Sequence, residues 1–117
     1  MLKAVLVILT LAPGGATHLA LSPADDAADC EAKRDVVTQI LENAGAKVTA
    51  AACGQTDLSF TPYIHGAPEA AFVHRWRVTL GKSGPVITQL APNEGCAEAR
   101  EARPPVLCAV SPQSVLD

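Results

Sequence analysis

Residues 70–90, AAFVHRWRVTLGKSGPVITQL, read as two strands joined by a tight loop. From Phe72 the chain alternates, with Phe72, His74, Trp76, Val78 and Leu80 on one side and Val73, Arg75, Arg77 and Thr79 on the other, the period of a half-buried strand. Trp76 therefore points inward and both arginines outward. Gly81 and Gly84 can take positive φ, and Pro85 is unwelcome inside a returning strand over Val86 to Leu90. With all of Gly81 to Pro85 as loop, Leu80 faces Val86, Val78 faces Thr88 and Trp76 faces Leu90. A slip of one residue sets Gln89 opposite Trp76 and brings Pro85 into the ladder, so the first register is preferred.

Working outward, 117 residues that are 49% hydrophobic allow one compact domain. Aromatics are only 3%, so Ala, Val, Leu and Ile build the core around Phe60, Tyr63, Phe72 and Trp76. A small core of that kind needs a covalent staple, which four cysteines can supply. The net charge of −3 argues against a phosphate-backbone binder, and no nucleic-acid partner is expected.

Residues 1–16 read as a signal peptide. Lys3 is the positive region, Ala4 to Ala12 the apolar region, and Pro13, Gly14 and Gly15 break the run before a small-x-small site ending at Ala16. The apolar run is shorter than the roughly 20 residues of a membrane span, so no span is expected once the leader is removed. The mature chain, 17–117, is expected to be a single small α+β domain in the periplasm or outside the cell, where paired cysteines persist.

Ser22 before Pro23, followed by Asp25 and Asp26, is a helix-start signature. The helix runs on with an apolar face of Cys30, Val36, Val37, Ile40, Leu41 and Ala44, and Gly45 closes it as a left-handed residue. Lys47 to Ala52 is the return strand. Leu58, Phe60 and Tyr63 alternate as a further short strand, Ala97 to Arg103 suits one or two helical turns, and Val106 to Val110 is a last strand before a loose tail. The architecture expected is α+β, one long N-terminal helix packed on an antiparallel sheet of about four strands and stapled by disulfides.

Of three connectivities, Cys30–Cys53 and Cys96–Cys108 are preferred. The helix from Cys30 rises about 1.5 Å per residue and the return strand advances about 3.3 Å per residue, which brings Cys53 level with Cys30. Cys96 and Cys108 bracket the Pro104, Pro105 turn.

The cysteines lack metal-site spacing, no cofactor fingerprint is present, and neither His65 nor His74 forms a helical metal pair, so no metal or cofactor is expected. Asp57, Ser59 and His65 supply the residue types of a hydrolytic triad without the strand–turn–helix elbow that would carry it. The function expected is an exported, non-catalytic binding or interaction module: an inhibitor, an accessory subunit or a ligand-capture domain. Its contact surface is the outward face marked by Arg75, Arg77 and Gln89, suited to an acidic protein or an anionic ligand, because a guanidinium engages carboxylate or phosphate through a planar fork. The loop around Tyr63, His65 and Glu69 is the second candidate surface. The alternative is a small hydrolytic or metal-assisted enzyme using His65 or His74 with Asp57 or Glu69.

Overall fold

The computed structural model of the chain describes residues 2–64 and 66–116. Among them are the strands β1 (Lys3–Leu11), β2 (Thr17–Ala24), β3 (Lys47–Thr56), β4 (His74–Gly81), β5 (Gly84–Leu90) and β6 (Val106–Ser111), with one α-helix, α1 (Ala27–Asn43), between β2 and β3. The strands form one sheet in the order β3-β1-β2-β6-β4-β5. Neighbours are antiparallel except β2 and β6. The two ends of the sheet then approach each other: a Cβ on Gly54 of β3 would lie 2.8 Å from Cδ of Pro85 in β5. The result is a nearly closed barrel that is mostly β, which corrects the expectation of a long helix on a four-strand sheet.

The correction begins at β1. Residues 1–16, read as a leader, contain this strand, and it pairs along its length with both β2 and β3. Its apolar run is continuous because both faces are covered. Val5, Val7 and Leu9 point into the barrel with Leu19, Leu21, Trp76, Val78 and Ile87, whereas Leu6 and Ile8 point outward beneath α1 with Cys30, Val37 and Leu41. The helix thus covers the outside of the barrel, and Trp76, read from the sequence as inward-facing, fills the inside.

Helix α1 starts later than Ser22 and Pro23, which belong to β2. Its cap is Asp26, whose carboxylate accepts the Asp29 N–H at 2.8 Å. Pro23 is tolerated in the strand for a geometric reason. Leu21 sends its N–H and C=O to Gln113, away from β1, and Pro23, two residues on, has the same orientation, so no ladder bond is lost. Gly45, at φ 89°, ends the helix as expected. The buried stripe is narrower than the one read from sequence, with Val36 57% and Ile40 60% exposed.

The hairpin has the expected faces but the other register. Gly81 pairs with Gly84, Leu80 with Pro85 and Trp76 with Gln89. Pro85 does not disrupt the ladder, because the Leu80 N–H goes to the Pro105 carbonyl at 2.9 Å, on the side away from β5. Leu80 and Pro85 are therefore a non-hydrogen-bonded pair, and the missing N–H of Pro85 faces the seam with β3. The shift also separates Gln89 from Arg75 and Arg77. It places Gln89 on the inward side with Trp76, where its Oε1 accepts the Val115 N–H at 2.7 Å.

The two disulfides are Cys30–Cys53 and Cys96–Cys108, each with Cα atoms 6.0 Å apart, as the sequence led us to expect. The first fastens α1 to β3 and the second fastens the 91–105 connection to β6. Closing the shorter loop restricts the unfolded chain by about 3 kcal/mol. Instead of helical turns, residues after Cys96 bring Ala99 back against Val106, with reciprocal backbone bonds of 2.8 and 2.9 Å. The strand expected over Leu58–Tyr63 is reduced to a single bridge between Phe60 and Val115.

That bridge belongs to a plug formed by the C-terminal residues, which were expected to be loose. Gln113 is fully buried, and its carboxamide accepts the Leu21 N–H at 2.8 Å while donating to the carbonyls of Leu21 at 2.9 Å and Thr61 at 2.8 Å. Its own carbonyl accepts the indole N–H of Trp76 at 3.1 Å. Because β6 pairs with β2 only at Val110 opposite His18, Gln113 replaces the missing strand partner of Leu21.

Two outcomes follow. Gln113→Ala leaves buried backbone groups of Leu21 without partners and should cost about 2–5 kcal/mol by chemical denaturation. Gln113→Glu should not restore it, since a carboxylate cannot donate to Leu21 or Thr61; full recovery would refute the assigned bonds. A chain starting at Thr17 should fail to form this sheet, read by amide dispersion in NMR, because β2 and β3 lose the strand they share; a well-dispersed spectrum with both disulfides formed would contradict the placement of β1.

Candidate functional site

The outer face of β1 and β2 carries Leu6 opposite Ser22, Ile8 opposite Ala20 and Thr10 opposite His18. Helix α1, tied to β3 by Cys30–Cys53, packs Val37 and Leu41 over Leu6 and Ile8, and leaves Ala20 of β2 only partly buried. The small Ala20 keeps the floor low. Val37 and Leu41 of α1 form one wall, and Phe60, Pro62, Tyr63 and Gly66 form the other. The cavity between them is about 580 Å³. At the Thr10–His18 end it shares Thr10, His18 and Ala46 with a depression of about 630 Å³ over the β1–β2 turn, which Lys47 also lines.

Polar groups stand mainly at the ends of an apolar middle. His18 is held by stacking on Phe72, with ring centroids 3.9 Å apart and planes 18° apart. Burial raises the phenol of Tyr63 above its ordinary range, so this side chain stays neutral well past physiological pH. None of the described residues that line the cleft is Asp, Glu, Lys or Arg.

The residues singled out in the sequence do not converge here. Arg75 and Arg77 face outward, but their guanidinium groups are engaged in holding residues 91–96. Arg75 Nη1 donates to the carbonyls of Ala91 (3.3 Å), Pro92 (3.1 Å) and Glu94 (2.6 Å), and Arg77 donates to those of Cys96 (3.1 Å) and Gly95 (3.2 Å). The Glu98 carboxylate extends this scaffold by accepting the Cys108 N–H at 3.0 Å and pairing with Arg100 at 3.2 Å. Chiefly the Cys108 hydrogen bond, against desolvation and with help from Arg100, lowers its pKa. Whatever this contact adds to stability is present above the ordinary carboxylate range and is lost as pH falls through the lowered value.

Gln89, as described, lies on the inward side, with Nε2 3.5 Å from Nδ1 of His74. Asp57 and Glu69 are exposed, and neither bonds to His74. His65 lies outside the described residues. Among the described residues, no group of three or more His, Cys, Asp or Glu side chains could hold a metal ion.

The sequence reading missed Thr10, which falls in the residues read as a leader, Ser22, which falls in the expected helix start, and His18 and Ala20, which lie between the two where no element was assigned. The signal was present nonetheless: Thr17 to Ser22 alternates, with Leu19 and Leu21 inward and His18, Ala20 and Ser22 outward. Tyr63, named within the second candidate loop, does line the cleft. No family model matches this chain, and neither a curated protein nor a solved structure matches it significantly.

Replacing Arg75 and Arg77 together by Gln should speed amide exchange across residues 91–96 and cost about 1–2 kcal/mol, beyond the roughly 0.5 kcal/mol of an uninvolved surface site. Exchange and stability equal to wild type would show that these arginines do not hold the loop.

Proposed function

We propose that this chain is an exported, non-catalytic binding module that captures a small ligand in the cleft between α1 and the β1–β2 face. The observation that carries the reading is the three-walled apolar cavity of about 580 Å³, within the usual range of small-molecule sites and with few polar groups to orient a ligand. The compartment rests on the two disulfides, which suggest an oxidising, extracellular-type environment. No helix among the described residues is long and apolar enough to cross a membrane. Since β1 serves both hydrophobic clusters, the exported form proposed here keeps residues 3–11.

The sequence pointed to an acidic protein or an anionic ligand on the face marked by Arg75, Arg77 and Gln89. The cleft is the better candidate because those guanidinium groups already serve the 91–96 carbonyls, and a partner would have to compete with them.

The test is ligand retention by the full, oxidised chain after incubation with an envelope extract, read by native mass spectrometry and compared with Ala20→Phe. Ala20 projects from the floor of the cleft, so the larger ring should fill it while the barrel interior is untouched. Wild-type protein should carry small molecules that the variant, with both disulfides verified, does not. Equal loading of the two proteins, or none of either, would refute the reading.

A further inference from the structure

Resting on the cleft reading above, we infer that the ligand is a single-chain amphiphile with a carboxylate head, its chain lying along Ile8 and Ala20 and its head at the mouth near Thr10, His18 and Lys47. The length follows from the strands. From the Leu6–Ser22 pair to the Thr10–His18 pair is four residues, about 13 Å of extended backbone, and the floor between is apolar. An elongated chain fits this shape.

Charge selects the head. Among the described residues that line the cleft and the depression it joins, Lys47 is the one of formal charge, and it is cationic. Lys47 makes no ion pair with another described residue, so its ammonium is available to an incoming anion. Thr10, which lines the same depression, can donate a hydrogen bond, and His18, fixed on Phe72, can donate another from a ring nitrogen. A cationic head would meet Lys47 with no acidic residue to offset the repulsion, and a charge carried into the apolar middle would be left unpaired.

Three probes of one chain length decide the matter: decanoate, decanol and decylammonium, titrated by NMR into the full, oxidised protein at neutral pH. Decanoate should bind about ten-fold more tightly than decylammonium, with shifts at Ile8, Ala20 and Leu41. Ala20→Phe should abolish the binding of decanoate. Lys47→Gln should weaken decanoate about three-fold, as expected of one exposed charge, and leave decanol unchanged. If decylammonium or decanol binds best and Ala20→Phe blocks it, the carboxylate assignment is overturned while the cleft stands. If Lys47→Gln weakens decanol as much as decanoate, head recognition by Lys47 is excluded. If no probe responds to Ala20→Phe, the inference and the cleft reading fall together.

Discussion

A strand that is apolar on both faces must be covered on both, and that constraint on β1 organises the rest of the molecule. One face is satisfied by curling the sheet until β4 and β5 return over Val5, Val7 and Leu9. The other is satisfied by α1, which sits over Leu6 and Ile8 and is pinned there by Cys30–Cys53. A small chain with few aromatics cannot fill a wide barrel. Trp76 takes the centre, while β3 contributes Ala50, Ala52 and Gly54 on the inward side and so lets the barrel wall come close. The same economy explains why closure stops short of a continuous ladder. At the seam the ring of Pro85 meets Gly54, where neither an N–H of Pro85 nor room for a side chain on Gly54 is available.

Polar groups complete what the strands leave open. Strand β6 meets β2 at one pair, and beyond it the sheet would expose the backbone of Leu21 to an apolar interior. The carboxamide of Gln113 has the donor and acceptor of a peptide unit and takes that place, while its backbone carbonyl receives the indole of Trp76. A terminal segment of ordinary composition is thereby converted into part of the core. The arginines of β4 act in a similar way on the other side of the sheet. Five carbonyls of residues 91–96 turn toward two guanidinium groups, which organise a loop that has no regular secondary structure.

Much of the local structure was legible. Alternation from Phe72 placed Trp76 inward, Gly45 marked the helix end, Val106 to Val110 marked β6, and rise per residue paired the cysteines. What failed were readings in which two structures share one local pattern. The fold expected lacked β1, because a short continuous apolar run after a lysine reads as a strand only through its contacts with β2 and β3, one of them distant in sequence. Ser22–Pro23 fits a helix start, yet it also fits a strand whose proline faces away from the ladder. The hairpin register turned on Pro85, where only the direction of the Leu80 N–H separates an allowed proline from a forbidden one. Choosing the wrong register carried Gln89 to the wrong face, and the supposed three-residue contact surface with it.

The cleft is the remainder of the same constraint. Helix α1 is committed to β3 by its disulfide and covers Leu6 and Ile8 with Val37 and Leu41, which leaves a gap over the partly buried Ala20 of β2. A bulky residue at position 20 would fill that gap from the strand itself, and the chain has Ala there. Phe60, Pro62 and Tyr63 stand on the far side because Thr61 is held by Gln113 and Ser114, the same plug that closes the barrel. Three elements are thus fixed by bonds made elsewhere, and the space they enclose does not depend on a ligand to form. A pre-formed apolar site loses little conformational freedom on binding, which favours capture of a flexible chain whose own ordering is the main opposing cost.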